Sequence, residues 1–467
     1  MSDFKLLING KMVDGASYSD VINPATEEPV AQSPRASKAQ LDEAVAAAKA
    51  AFPAWSKTPI AERKAKLTQI ADIIQANAAE LARILTQEQG KPIGDATGEA
   101  FGASAFFRYF TMLDLPEKVL DDSPSRKVVA KRKPLGVIGA IVPWNFPLIL
   151  MAFKVPAALL AGNTIVLKPA PTTPLSTLKI AELIKDVLPP GVLNVIADSG
   201  ELGGELTKHP DVRKISFTGS TETGKKVMAG AAEALKRITL ELGGNDAGIV
   251  LPDNDPKAVA PKLFQSAFQN SGQVCIAMKR LYVHDKIYDA VCDELATLAS
   301  QAVVGDGLEQ GTQLGPLQNK MQYDKVMDLI EDAKKHGKVI AGGGRPDRKG
   351  YFIQPTIVRD ITDGTRLVDE EQFGPVLPVI RFEDEMDAVA RANASPYGLG
   401  GSIWTSDLAK AEALADAMDT GTVWINKHAE LAPNIPFGGA KFSGIGVELG
   451  EEGLAEFTQL HVVNMAR

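Results

Sequence analysis

From residue 134 onward the chain alternates strictly between short apolar runs and amphipathic ones, and this alternation narrows its possible folds more than any other feature. Strand-like runs fall at 136–142, 164–167, 192–197, 214–217 and 238–242, with helix-like runs between them, as at 176–188 and 222–235. Strands that alternate with helices build a parallel, doubly wound sheet covered on both faces. Such a sheet gathers ligands in the crevice beyond the carboxyl ends of its strands. A second alternating block runs from about 243 to 430, and 467 residues exceed what one core organises. The expected fold is α/β: a doubly wound, Rossmann-like domain plus a second α/β domain.

Ahead of this block, Ser37-Lys38-Ala39-Gln40 has the layout of a capping box, and the Ala-rich run to Ala51 continues it as a helix. Leu67, Ile70, Ile73, Ile74, Leu81, Ile84 and Leu85 recur at helical spacing, which predicts one long helix over about 61–89, closed by Gly90 and Pro92. Residues 118–133 read differently. Two strand-like runs flank Asp121-Asp122-Ser123-Pro124-Ser125, predicting a hairpin that needs a partner surface to be stable. The tail, 457–465, reads as one more strand.

A net charge of −8 supplies no basic face for nucleic acid or anionic lipid. The most apolar long stretch, 137–153, is interrupted by Pro143, Asn145 and Pro147, so no membrane span is expected. The N-terminus lacks the layout of a signal peptide, and two cysteines are too few for a disulfide framework. A cytoplasmic setting follows as the expectation. Two cysteines and five scattered histidines make no zinc pattern, so no metal is expected.

Cys292 sits in an amphipathic run and reads as packing, whereas Cys275 closes the run Gln269-Asn270-Ser271-Gly272-Gln273-Val274-Cys275. Glu241 lies 34 residues earlier in Glu-Leu-Gly-Gly-Asn. An ionised thiol attacks carbonyl carbon, and a carboxylate can activate the water that releases the acyl group. An isolated cysteine is more often a small buried residue, so the neighbouring motifs decide. Phe217-Thr218-Gly219-Ser220 joins a strand to a helix, where glycine and free N–H groups suit a phosphate; an ordinary capped turn reads the same way. Lys168 ends a strand and faces the crevice. Between two stiffening prolines, Asn145 in Pro143-Trp144-Asn145-Phe146-Pro147 can be held as an amide donor for an oxyanion.

These motifs, with Glu371-Gln372-Phe373-Gly374-Pro375 and Pro436-Phe437-Gly438-Gly439, occur in the order and spacing of the aldehyde dehydrogenase superfamily, which the whole chain resembles. The resemblance implies NAD- or NADP-dependent oxidation of an aldehyde to an acid. It assigns the nucleophile to Cys275, the oxyanion donors to Asn145 and the Cys275 N–H, and the water activator to Glu241. Lys154 and Glu448 match positions linked to proton movement. Lys168 and Glu371 match residues that bind ribose hydroxyls, and Gly219 and Ser220 a pyrophosphate contact. Val142, Trp144, Leu242 and Phe373 match the walls of the cofactor cleft. Phe146, Leu150, Phe153, Val274, Ile276 and Phe437 match the aldehyde tunnel, and their apolar character points to aliphatic or aromatic aldehydes. No Cys–His motif is available to ionise the thiol, which leaves Glu241 or the positive nicotinamide ring.

One position departs from the family. NAD-preferring members often carry an acidic residue three positions after the Lys168 equivalent, where this chain has Pro171. The missing carboxylate removes both a hydrogen bond to the adenosine ribose and a repulsion against a 2′-phosphate, so either cofactor is open. The expected domains are 1–117 with 134–241 for the cofactor and 242–430 for catalysis. Residues 118–133 and 450–467 would form an oligomerisation element joining a homodimer or homotetramer. The rivals are a CoA-acylating enzyme, for which Glu241 has no task, and a non-catalytic protein of the same fold.

Overall fold

The computed structural model describes residues 4–467. Two open sheets carry the architecture. The first has eight strands in the order Lys11–Val13, Leu6–Ile8, Leu193–Val195, Thr164–Lys168, Val137–Ile141, Val212–Thr218, Arg237–Glu241, Gly444–Ile445. Its five central strands are parallel, and the flanking ones at both edges are antiparallel. The chain moves outward from Val137–Ile141 in one direction, then returns to add Val212–Thr218 on the other side. The switch point therefore lies between these two strands, whose carboxyl ends lead to Asn145 and Gly219.

The second sheet has seven strands in the order Lys338–Ala341, Thr356–Arg359, Val376–Phe382, Met278–His284, Asp246–Val250, Gly400–Trp404, Thr422–Ile425, all parallel except the first. The near-continuous apolar strands are buried on both faces, as parallel sheets require. A mixed α/β fold with doubly wound parallel sheets matches the reading of the sequence.

Three smaller elements bear on that reading. The capping box at Ser37 is present, opening the helix Lys38–Trp55. In place of one helix over 61–89 there are two, Ile60–Ala76 and Ala78–Gln89. Asn77 separates them: its backbone leaves the helical region (φ −107°, ψ 15°) and its side-chain amide donates to the Ile73 carbonyl. This local bond competes with helix continuation, which apolar spacing does not register. Gly90, in the left-handed region at φ +101°, ends the second helix. Finally, Lys118–Ser123 and Arg126–Pro134 form the hairpin, and Thr458–Ala466 pairs along its second strand to make a three-stranded antiparallel sheet.

Candidate active site

The site lies where the carboxyl ends of the first sheet face the loops that lead into strands of the second. A cavity of about 390 Å³ is lined there by Val142, Trp144, Asn145, Leu150, Lys168, Pro171, Gly219, Ser220, Leu242, Cys275, Glu371 and Phe373, among others. All nine residues matched to cofactor contacts thus share one cleft with Asn145, Cys275 and Leu150.

The Cys275 loop is unusual in its backbone. Asn270, Ser271 and Gly272 follow one another in the left-handed region, with φ of 49°, 54° and 74°. Such a run is costly for Asn and Ser and needs support from outside. Ser271 donates to the Gly315 carbonyl at 2.7 Å, and Gln273 accepts from the Gln318 N–H at 2.9 Å. A methyl at Gly272 would stand 2.3 Å from the Gly374 carbonyl oxygen, so only glycine fits. The half-buried Cys275 emerges from this braced turn.

Asn145 is held from both ends. Its side-chain amide donates to the Gln273 carbonyl at 3.0 Å, and its own carbonyl accepts from Lys91 at 2.9 Å and Asn270 at 3.2 Å. Lys91 is buried, ion-paired with Glu99, and lies 3.7 Å above the Phe146 ring. Glu99 in turn accepts from the N–H of Leu148 at 2.9 Å, satisfying the start of the helix Pro147–Leu160.

Glu241 closes the strand Arg237–Glu241, is buried, and among the described residues has no hydrogen-bond partner for either carboxylate oxygen. Burial, reinforced by the nearby Glu448 charge and opposed by Lys154, holds its pKa well above the usual carboxylate range. Lys154 and Glu448 form a fully buried ion pair, and Ser216 donates to Glu448 at 3.1 Å. Burial pushes the Cys275 thiol up to about 12; Lys279 opposes this, while Asp246, Glu241 and Glu371 add to it.

At the cofactor end, Ser220 caps the helix Thr221–Ala232 by accepting from the Thr223 N–H at 3.3 Å. The structure thus shows a capped turn and a helix N-terminus open to the cleft at once. Lys168 is ion-paired with Asp198 at 2.6 Å, and Arg35 donates to the Pro171 carbonyl at 3.3 Å. Trp144 and Phe373 meet edge to face at 5.5 Å, and the Gly244 N–H donates to Glu371 at 3.0 Å. A methyl at Gly243 would stand 2.5 Å from the Glu371 carboxylate.

The six tunnel positions do not gather on this cavity. Leu150 alone lines it; Phe153, Val274, Ile276 and Phe437 are buried in the apolar core, against which Phe146 packs. Cys292 is wholly buried in the apolar core beneath the second sheet. Lys91, Glu99, Asp198, Ser216 and Lys279 were not anticipated. For Lys279 a signal existed, a lysine four residues after the thiol; Lys91 and Glu99 are near neighbours in sequence but meet Asn145 and Leu148 across 54 and 49 residues, and Ser216 meets Glu448 across 232.

The profile of the aldehyde dehydrogenase family matches residues 12–463. A probable aldehyde dehydrogenase of Pseudomonas sp is 43% identical over 458 residues, covering 98% of this chain and 93% of the relative. Phenylacetaldehyde dehydrogenase of Pseudomonas fluorescens is 41% identical, covering 97% and 94%. The NAD+ complex of an aldehyde dehydrogenase from Bacillus cereus superposes with a TM-score of 0.97 at 39% identity, covering 99% and 96%. Agreement of this extent, in sequence and in fold, makes the chain a member of the aldehyde dehydrogenase family, oxidoreductases dependent on NAD(P).

Proposed function

We propose that this protein oxidises an apolar aldehyde, aliphatic or aromatic, to the carboxylic acid through a covalent Cys275 intermediate. One observation carries the reading: Cys275 and Asn145 open onto the same cleft as the helix N-terminus at Ser220.

The cleft suits a dinucleotide. Gly219, Ser220 and the first N–H groups of the helix Thr221–Ala232 form an anion site for the pyrophosphate. Lys168 and Glu371 supply a donor and an acceptor for ribose hydroxyls, and Gly243 leaves room for that carboxylate. Val142, Leu242, Trp144 and Phe373 wall the reactive end. When bound, the nicotinamide accepts a hydride.

Cys275 sulfur bonds to the aldehyde carbon as the carbonyl π pair moves to oxygen. Asn145, fixed by Gln273 and Lys91, and the Cys275 N–H stabilise that oxyanion. Loss of hydride from carbon leaves a thioester on Cys275. Glu241 removes a proton from water as it attacks the thioester, and a carboxyl with raised pKa is matched to that task near neutral pH. The Lys154–Glu448 pair beside it passes the proton onward. The acid leaves and the Cys275 thiolate is regenerated.

Leu150 on the cleft wall supports the substrate class, and Phe153, Val274, Ile276 and Phe437 belong to the apolar core against which Phe146 and Cys275 pack. Cofactor choice turns on Pro171, which sets no carboxylate against a 2′-phosphate, and on Asp198, which pairs with Lys168. We assign residues 1–117 with 134–241 to cofactor binding, 242–430 to catalysis, and 118–133 with 450–467 to assembly of copies of this chain in the cytoplasm.

The test is cofactor reduction with an apolar aldehyde, NAD and NADP compared, without CoA. Turnover to the free acid, abolished by Cys275→Ala, is the expected result. Turnover that appears only once CoA is added, or that survives the substitution, contradicts it.

A further inference from the structure

The thiol sits in surroundings that oppose its ionisation, and the ring of the nearby His428 is engaged by the Ile276 carbonyl at 2.9 Å and the Ser402 hydroxyl at 2.8 Å. What stands beside the thiol is a buried ammonium. Lys279, 1% exposed at the start of the strand Met278–His284, donates to the Val274 carbonyl at 2.8 Å and to the Cys275 carbonyl at 2.5 Å. Its third neighbour is the Glu371 carboxylate at 3.6 Å, so all three donors of the ammonium face an acceptor. The loop that presents the nucleophile is therefore folded around a cation.

We propose that Lys279 is a positioning residue for the nucleophile, holding its peptide groups and stabilising the Cys275 thiolate by charge. This rests on the reading of Cys275 as nucleophile.

Two physical consequences follow. A trans peptide points its C=O and N–H in opposite directions. Tying the Val274 carbonyl to Lys279 therefore turns the Cys275 N–H away from it, and among the described residues that N–H donates to no acceptor, leaving it for an oxyanion. Of the charged groups that act most strongly on the thiol, Lys279 favours the thiolate while Asp246, Glu241 and Glu371 oppose it. Glu371, matched to the cofactor ribose, touches the same ammonium. The cation thus links the cofactor end of the cleft to the thiol.

The test is alkylation of the full-length protein by iodoacetamide, in which the thiolate sulfur bonds to carbon and iodide departs with the C–I pair. Modified Cys275 is quantified by peptide mass spectrometry, which separates it from Cys292, over about pH 6–9. Below its midpoint a thiol reacts in proportion to its thiolate fraction, so a midpoint raised by about one unit slows it about tenfold. Lys279→Met and Lys279→Gln are expected to slow alkylation about tenfold across the range. Lys279→Arg, which restores charge and donors, should stay within about threefold of the unmodified chain. Lys279→Gln retains an amide donor for the carbonyls, so it reports on charge even where Lys279→Met fails to fold. A wild-type rate in Lys279→Gln, or an Arg variant as slow as the Met variant, overturns the proposal. Aldehyde turnover surviving in Cys275→Ala would instead overturn the nucleophile assignment, and it is scored with Lys279 untouched.

Discussion

Single side chains at this site work through what surrounds them. Asn145 is proposed as an oxyanion donor because three other residues, Gln273, Lys91 and Asn270, fix its amide and its carbonyl. Asn145→Ala is expected to lower kcat/KM about 10²–10³-fold, measured by steady-state kinetics, with the fold intact by circular dichroism. Glu241 carries a sign as well as a magnitude. Its raised pKa means the base form grows in as pH rises, so hydrolysis-limited turnover should climb with pH until that pKa is passed. Glu241→Gln should remove this limb and lower kcat about 10²–10⁴-fold in a pH–rate profile. At this scale the sequence was informative wherever chemistry sits in a local motif. Cys275, Glu241 and Asn145 could be picked out because the residues flanking them have a spacing to read. Lys91 could not, because it meets the Asn145 carbonyl from 54 residues away.

Helices and strands deliver these groups through their ends. The helix Pro147–Leu160 starts beside Asn145, and its first N–H groups are capped by Glu99, not by a residue of its own. Lys91→Met would leave that carboxylate buried and unpaired. The expected cost is about 3–5 kcal/mol, read by urea denaturation, with lower kcat in whatever folds. The strand and helix order from 134 onward was legible because strands buried on both faces are continuous apolar runs bounded by turns. The break at Asn77 was not, since Leu67 through Leu85 keep helical spacing across it and the interruption is one side-chain bond. The short strands Leu6–Ile8 and Lys11–Val13 also escaped notice: three residues carry no period, and the first is placed by pairing with Leu193–Val195.

Across the whole molecule, the cleft between the two sheets stands apart from the three-stranded sheet. That small sheet leaves Val119, Leu120, Leu460, Val462 and Met465 exposed, with Leu460 and Val462 on one face and Val119 and Met465 on the other, on a sheet whose strands need a covering surface. A second copy of the chain is the covering proposed here. Leu460→Asp with Val462→Asp should therefore lower the assembly mass in light scattering while the chain stays folded. An unchanged mass would separate this sheet from assembly. The hairpin could be read from its turn, whereas Thr458–Ala466, more than 300 residues away along the chain, could be grouped with it only through the family resemblance. The apolar tunnel was the least accessible to sequence: alternate side chains near the thiol are divided between cleft and core by packing alone.

The reaction proposed for this site is aldehyde oxidation through an acyl group on Cys275 that Glu241 releases. Glu241→Gln, mixed with an apolar aldehyde and the preferred cofactor, then quenched in acid and examined by peptide mass spectrometry, tests it most directly. One equivalent of cofactor should be reduced in a burst, with the acyl mass retained on the Cys275 peptide. Cofactor reduction with no adduct on Cys275, or an adduct on another residue, would contradict it.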